Sequence, residues 1–277
     1  MPTNGVIETN GHTTSYLEEG PKDGPLIVFV HGWPELSHSW RHQLPAMARL
    51  GFHAVAPDLR GYGGSSKYPE HAAYSQENVV ADMLCLADAI NAETAVWVGH
   101  DWGSPTVWNI ASHHPDRCRA VASLCVPYAT LEYGVDRAIE LVDRSVYPLD
   151  EYPVGQWDYQ LYYQECFEKA QSAMEAKVEN TVKALFRCGN PDAVGKPALT
   201  ASLRSSSGWF GGAGEAPDLP LDEQVISTDD LAVYSQALQA SGFFGANSYY
   251  MNHDANTTYA KTAVDEGRLA MPVLFMA

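Results

Sequence analysis

The chain has 277 residues, of which 45% are hydrophobic and 11% aromatic, so it can bury a large core as one sizeable domain or as a domain with an insertion. Its 34 acidic and 17 basic side chains give a net charge of −17. This balance argues against binding to nucleic acid or to an anionic membrane, since both attract basic clusters, and it favours a neutral, mostly apolar small molecule as partner.

The N-terminal segment and the cysteines indicate a soluble, cytoplasmic protein. Residues 1–24 are polar and rich in turns, without the apolar core of a signal peptide, and no later apolar run is long enough to span a bilayer. The five cysteines are irregularly spaced, with no Cys-x-x-Cys pair and no cluster of metal-ligating type. We therefore expect reduced thiols and no metal.

Strands and helices alternate in the first half of the sequence. Residues 6–9 and 13–18, joined by Asn10-Gly11, are typical of a β-hairpin, because Asn-Gly supplies the positive φ angles of a two-residue turn. Continued alternation implies right-handed crossovers and a mostly parallel sheet with helices on both faces, which is an α/β fold. The other predicted elements are strand 26–30, helix 39–50, strand 54–56, helix 76–90, strand 95–98, helix 102–111 and strand 120–126.

The second half of the chain carries no convincing strand until its end. Residues 156–187 show helical periodicity, 205–220 are rich in Gly and Pro and predict a loop, and Ser227 with Asp230 resembles a capping box that opens a helix. A β pattern returns at residues 272–276. The expected organisation is a first part of the core at 1–129, a helical lid insertion at 130–256, and a return to the core at 257–277 that ends at the seventh strand.

One turn carries a carboxylate in an unusual setting. The segment Val96-Trp97-Val98-Gly99-His100-Asp101-Trp102-Gly103 predicts a buried strand, a Gly-x-Asp-x-Gly turn and the start of a helix. In one large hydrolase fold, glycines flank a nucleophile on a strained strand-to-helix turn because a Cβ there would clash. Asp101 is therefore a candidate nucleophile. The alternative is that Asp101 is a helix N-cap, which accepts hydrogen bonds from the first helical turn.

A second motif favours the nucleophile. His31-Gly32-Trp33-Pro34 follows the strand 26–30, at the position where such hydrolases donate one backbone N–H to an oxyanion hole. The N–H of Trp102 would be the other donor. Ordinary turn chemistry also explains a Gly-x-Pro sequence after a strand, but two motifs at strand ends that must converge in space favour a hydrolase.

These residues resemble the epoxide hydrolases of the α/β-hydrolase fold, and the resemblance extends over nearly the whole chain. It rests on the segments His31-Gly32-Trp33-Pro34-Glu35, Ser39-Trp40-Arg41-His42-Gln43, Asp58-Leu59-Arg60-Gly61-Tyr62-Gly63 and Gly99-His100-Asp101-Trp102-Gly103.

The resemblance implies that an apolar epoxide and water react to give a vicinal diol, through a covalent alkyl ester on Asp101 and without a metal or cofactor. It also implies that the N–H groups of Trp33 and Trp102 form the oxyanion hole, and that the peptide bond before Pro34 is cis. The implied substrate-pocket residues are His31, Pro34, His100 and Gln160.

Ring opening needs acidic O–H donors where negative charge grows on the epoxide oxygen. Residues 157–165 offer three tyrosines, of which Tyr159 and Tyr163 share one helical face, and periodicity alone favours an ordinary aromatic core stripe. The family's Asp-Tyr-Gln-Leu-Tyr run selects Tyr159. The second implied donor is Tyr250, with Tyr249 as the fallback because Tyr249 and Met251 stand where the family often has Trp and Arg.

Hydrolysis of the ester needs a general base, normally a histidine oriented by a carboxylate, on loops beyond the seventh and eighth strands. The ten histidines present offer no convincing substitute. We therefore expect the biological protein to be longer, with an Asp or Glu shortly after Ala277 and a Gly-His pair further on. An acid after the sixth strand would instead be Glu132.

Two other functions are open at this point. A haloalkane dehalogenase also has an Asp nucleophile followed by Trp, and the indoles of Trp33 and Trp102 could hold a halide. The tyrosine pair argues against it, because a departing halide needs no proton. The other alternative is a ligand-binding protein on a hydrolase scaffold that does not turn over.

Overall fold

Two units make up the fold, and the structure, a computed structural model, describes residues 2–277. The first unit comprises the chain up to Gly134 together with Asn252–Ala277, and the second comprises Val135–Met251.

The first unit is built on a seven-stranded sheet with the order β1-β2-β4-β3-β5-β6-β7. The β1–β2 and β2–β4 pairs are antiparallel, and the four other pairs are parallel. The predicted, mainly parallel α/β sheet is therefore confirmed. The strands are β1 (Thr3–Thr9), β2 (His12–Glu19), β3 (Leu26–Val30), β4 (His53–Pro57), β5 (Ala95–His100), β6 (Cys118–Leu124) and β7 (Val273–Met276).

The centre of the sheet explains the uninterrupted apolar runs in the sequence. Every residue of β3 and β4 is buried, so both faces of these strands are covered. A cluster that includes Phe29, Trp40 and Leu44 packs against one face. The side chains of β7, by contrast, are exposed along its whole length.

Within residues 2–277 the first unit has four α-helices, and the sequence patterns predicted three of them. Two of these three agree with the predicted bounds within two residues. The exception is residues 39–50, which form a 3-10 turn at Ser37–Trp40 followed by a shorter helix. Pro45 has no backbone N–H, and its ring would clash with a preceding helical turn. The helix therefore begins at Gln43, which places Pro45 in the first turn, where proline is tolerated. The helices are α1 (Gln43–Arg49), α2 (Gln76–Ala89), α3 (Gly103–His113) and α10 (His253–Ala260).

The second unit is helical. Its predicted capping box is confirmed: the Ser227 hydroxyl accepts from the Asp230 N–H, and the Asp230 carboxylate accepts from the Ser227 N–H. The helical periodicity of residues 156–187 is divided among three short helices. The helices are α4 (Gly134–Glu140, whose first residue belongs to the first unit), α5 (Asp158–Glu165), α6 (Phe167–Glu175), α7 (Val178–Leu185), α8 (Thr228–Ser241) and α9 (Phe244–Ser248). Within residues 2–277, no helix has both the length and the apolar character needed to cross a membrane.

Candidate active site

The turn between β5 and α3 holds Asp101 in a strained backbone conformation. Its φ angle is 50°, in the left-handed region that side-chain-bearing residues rarely adopt. A Cβ at Gly103 would lie 2.1 Å from the carbonyl oxygen of Val30, and one at Gly99 would lie 2.3 Å from the carbonyl oxygen of Gly103. The two glycines are therefore required by close backbone approach, as the sequence motif predicted.

The Asp101 carboxylate accepts hydrogen bonds from two backbone N–H groups, one in the loop after β3 and one in its own turn. The N–H of Trp33 donates to Asp101 Oδ1 at 2.6 Å, and the N–H of Trp102 also hydrogen-bonds the carboxylate. The α3 helix begins without a side-chain cap. The N-cap alternative therefore does not describe Asp101, because the helix has Trp102 as its N-cap residue and no side chain caps it.

The loop after β3 lies directly against this turn. A Cβ at Gly32 would lie 2.3 Å from the Cβ of Asp101, so only glycine permits the approach. The peptide bond between Trp33 and Pro34 is cis, as the resemblance implied. The loop from residue 31 to 34 therefore presents a backbone N–H to Asp101.

A charged pair lies beside the turn that holds Asp101. His100 Nδ1 and Glu35 Oε1 are 2.8 Å apart. Burial works against the charge on His100, but hydrogen bonds with Cys125 and Glu35, together with the Glu35 and Asp101 charges, raise the pKa of His100 to about 11. Burial likewise opposes ionisation of Glu35, and the His100 hydrogen bond and charge outweigh it and lower the pKa of Glu35.

This pair affects the protonation of Asp101. Burial raises the pKa of Asp101 above its ordinary value, while the His100 charge and the N–H donors of Trp33 and Trp102 lower it. The imidazolium of His100 thus favours the ionised carboxylate, which is the form that attacks an electrophilic carbon.

His31 is fully buried, and its ring hydrogen-bonds the loop after β3 and the loop after β4. Its Nε2 accepts from the N–H of Leu59 at 2.9 Å, so Nδ1 must carry the proton and donate to the carbonyl oxygen of Gly32 at 2.8 Å. Burial lowers the pKa of His31, which keeps the ring neutral. Both ring nitrogens are thus used by backbone groups, and direct contact between His31 and a substrate stays a prediction.

The second unit brings the predicted tyrosines together. The rings of Tyr159 and Tyr250 are 5.6 Å apart at 76°, and the Gln160 side-chain amide donates to the Tyr159 hydroxyl at 3.1 Å. Tyr163 stacks on Tyr250 with centroids 4.3 Å apart at 8°, and Trp209 lies 6.1 Å from Tyr159. An edge-to-face pair supported by a stacked ring gives the two phenols a fixed relative geometry.

Comparisons with known proteins show the family of this chain. A family model described as the α/β-hydrolase fold matches residues 25–222. Epoxide hydrolase A of Mycobacterium tuberculosis is 35% identical over 280 residues, which cover 100% of this chain and 81% of that protein. The chain belongs to the epoxide hydrolases of the α/β-hydrolase fold. The predicted fold class is thereby confirmed.

Two further relatives show how far the similarity extends. Bifunctional epoxide hydrolase 2 of Sus scrofa is 36% identical over 91% of this chain, which spans only 42% of that longer protein. The crystal structure of Epoxide Hydrolase A from Mycobacterium thermoresistibile matches with a TM-score of 0.79 and 32% identity, covering 99% of this chain and 82% of that one.

Glu132, predicted as a possible acid, lies just after β6 and is 1% exposed. Its carboxylate accepts from the N–H groups of Ala129 and Thr130. Burial raises the pKa of Glu132 to about 7 despite these donors. A role for Glu132 in orienting a base stays a prediction.

Sequence reasoning missed the partners of His100 and of the tyrosines. Glu35 is inside the His31 motif and could have been paired with a histidine by charge. Cys125 follows β6 immediately, and β6 pairs with β5 through Leu124 and His100, so strand order would have indicated the contact. Trp209 comes from a predicted loop and carries no local signal.

Two further features concern metal-ligating side chains and cysteines. In the part of the chain that the structure describes, no group of three or more His, Cys, Asp or Glu side chains is arranged to hold a metal ion. The five cysteines are free thiols.

Proposed function

We propose that this protein converts an apolar epoxide to a vicinal diol through an alkyl ester on Asp101. The observation that carries the proposal is the strained turn that directs the Asp101 carboxylate at two backbone N–H groups. Relatives whose names state epoxide hydrolase activity support it. The five free thiols favour a cytoplasmic location.

In the first half of the reaction, Asp101 attacks one carbon of the epoxide while the ring C–O bond breaks. An ionised carboxylate needs no base to become nucleophilic, and the charged His100 supports that ionisation. Tyr159 and Tyr250 would donate hydrogen bonds to the ring oxygen and one proton to the growing alkoxide. In this proposal the second unit acts as a lid that carries both donors.

In the second half, water attacks the carbonyl carbon of the ester and releases the diol. The tetrahedral intermediate places negative charge on the former carboxylate oxygen, where the N–H groups of Trp33 and Trp102 would stabilise it. Because these donors already bind the free carboxylate, they need no rearrangement before the step. A general base must activate the water.

The proposal is tested with Asp101→Asn in the complete protein, assayed with styrene oxide. We expect at least a ~1000-fold loss of diol formation, since the nucleophile is removed. Asp150→Asn, which changes an exposed aspartate, is the matched control and should retain normal activity.

Mass spectrometry adds a second measurement. Rapid quenching of the unchanged protein with excess epoxide should give a protein mass increased by one epoxide, and Asp101→Asn should not show it. Undiminished turnover in Asp101→Asn would contradict the nucleophile assignment. Release of chloride from a chloroalkane, without diol from epoxides, would favour a dehalogenase instead.

A further inference from the structure

A buried polar seam runs through the first unit, behind the nucleophile turn. We define it by four side chains on three helices: His253 and Asn256 on α10, Gln76 at the start of α2, and Thr106 on α3. Their exposed fractions are 4%, 1%, 0% and 0%, respectively. None of these residues has a role in the reaction proposed above.

Direct hydrogen bonds account for only part of the seam. The backbone N–H of Gln76 donates to Asn256 Oδ1 at 2.8 Å. Because a backbone N–H can only donate, the Asn256 amide orientation is fixed and its Nδ2 points elsewhere. Thr106 Oγ1 lies 2.9 Å from Gln76 Oε1 and 3.1 Å from the carbonyl oxygen of Trp102.

Several buried atoms of the seam lack a protein partner. Among the atoms of residues 2–277, none forms a hydrogen bond with Asn256 Nδ2, Gln76 Nε2, or either ring nitrogen of His253. Burying a polar atom without a partner is unfavourable, and native proteins avoid it or place an ordered water there.

These atoms come from neighbouring positions. His253 and Asn256 are three residues apart on α10 and therefore share a helical face. Trp102, which precedes α3, and Thr106, in the first turn of α3, are four residues apart and also share a face. The Trp102 and His253 rings are 6.2 Å apart. The Gln76–Asn256 and Gln76–Thr106 contacts connect the two faces.

The seam offers both hydrogen-bond donors and an acceptor. Burial lowers the pKa of His253 to about 4, so at neutral pH one ring nitrogen donates and the other accepts. Asn256 Nδ2 and Gln76 Nε2 are donors. One water can accept from both amides and donate to the bare imidazole nitrogen, and the imidazole N–H then needs a further acceptor.

We infer that the seam is a binding site for at least one ordered internal water, held by Asn256 Nδ2, Gln76 Nε2 and a ring nitrogen of His253. The water accepts from the two amides and donates to the bare nitrogen of the imidazole. It joins α2 to α10, and the Gln76–Thr106 contact extends this connection to α3, which follows Trp102, the residue whose N–H hydrogen-bonds Asp101. The inference does not depend on the proposed reaction.

The first test is NMR of the unchanged protein, with water-selective NOE and ROE measurements on the ring protons of His253. A bound water gives cross-peaks of equal sign to those within the protein, which report a residence time longer than molecular tumbling. We expect such peaks at the ring protons of His253. Their absence from the unchanged protein would overturn the inference.

Thermal unfolding of His253→Leu gives an independent test. If His253 binds water, the variant lowers the melting temperature because Asn256 and Gln76 lose a bridging partner. If the seam is dry, replacing an unsatisfied imidazole with an apolar side chain raises it, and a rise would overturn the inference. His113→Leu is the control, since both nitrogens of His113 already bind the carbonyl oxygens of Asn109 and Tyr259, and it should lower the melting temperature in either case.

Discussion

The turn at Asp101 and the tyrosine cluster of the second unit hold their proposed reactive groups by different physical means. At the turn, Asp101 is positioned by backbone geometry, because glycines allow close approach and a backbone N–H binds its carboxylate. In the second unit, Tyr159 and Tyr250 are positioned by contacts between side chains, with Tyr163 stacked on Tyr250. Few residues could replace the glycines that position Asp101, whereas several aromatic residues could pack at the positions around the two tyrosines.

The first and largest test of this comparison removes the phenol oxygens and keeps the rings. The double variant Tyr159→Phe with Tyr250→Phe should lower the rate of ester formation by about 1000-fold or more, because both proposed proton donors are lost while the aromatic packing remains. Rapid-quench measurement of the ester on Asp101 reports this step. Tyr162→Phe, on the same helix as Tyr159, is the control and should leave the rate nearly unchanged. An equal loss of rate in Tyr162→Phe would mean that the substitutions act through the folding of the second unit.

The second test adds a methyl group to the backbone-positioned region. Gly32→Ala places a Cβ 2.3 Å from the Asp101 Cβ and 2.5 Å from Oδ1. We expect about a 100-fold loss of kcat/KM, since the loop must shift and the Trp33 N–H moves with it. Gly189→Ala, where an added Cβ meets nothing within 4 Å, should be neutral. Normal kinetics in Gly32→Ala would show that the close approach is not needed.

The third test changes the charge beside the turn. Glu35→Gln removes a charge that helps to raise the pKa of His100 to about 11 and leaves only a neutral hydrogen-bond acceptor, so that pKa should fall. The stabilisation that the charged His100 gives the fold is complete below its unfolded value of 6.5 and is lost as pH rises through about 11; in Glu35→Gln this loss should occur at lower pH.

Activity of Glu35→Gln should fall by roughly 10-fold near pH 8, with a new decline on the alkaline side, because a neutral His100 supports ionised Asp101 less well. NMR titration of His100 and a pH–rate profile measure the two effects. The exposed Glu151→Gln is the control. An unchanged His100 titration would contradict the assigned pair.

The smallest effect on activity is expected at Glu132, whose change should be seen in stability. Burial raises its pKa from 4.5 to about 7, so protonation favours the folded state: the stabilisation is present below pH 4.5 and lost as pH rises through about 7. The loss for the unchanged protein is on the order of 3 kcal/mol.

Denaturant unfolding at pH 5 and pH 8 should therefore show a smaller difference for Glu132→Gln than for the unchanged protein. Glu140→Gln, at an exposed position, should keep the original difference. If all three proteins lose stability equally between the two pH values, Glu132 is not the group responsible.

Much of the first unit could be predicted because its signals are local. Glycine spacing around Asp101, the Asn10-Gly11 turn and the apolar runs of β3 and β4 each reflect residues within one element and its flanks. The one helix that differed, α1, was shortened by Pro45, and that signal was also present in the sequence. The resemblance to epoxide hydrolases added the choice of Tyr159 and Tyr250, which helical periodicity left open.

Only the tertiary structure decided the contacts between residues that are distant in the chain. Glu35 meets His100, Trp209 lies beside Tyr159, and Gln76 binds Asn256 across 180 positions. No short pattern encodes such pairs, because each depends on strand order and on how helices from separate segments pack. The sequence by itself determined the α/β alternation and the strained turn at Asp101, since backbone sterics act between near neighbours; the charge beside that turn and the polar seam behind it required the folded chain.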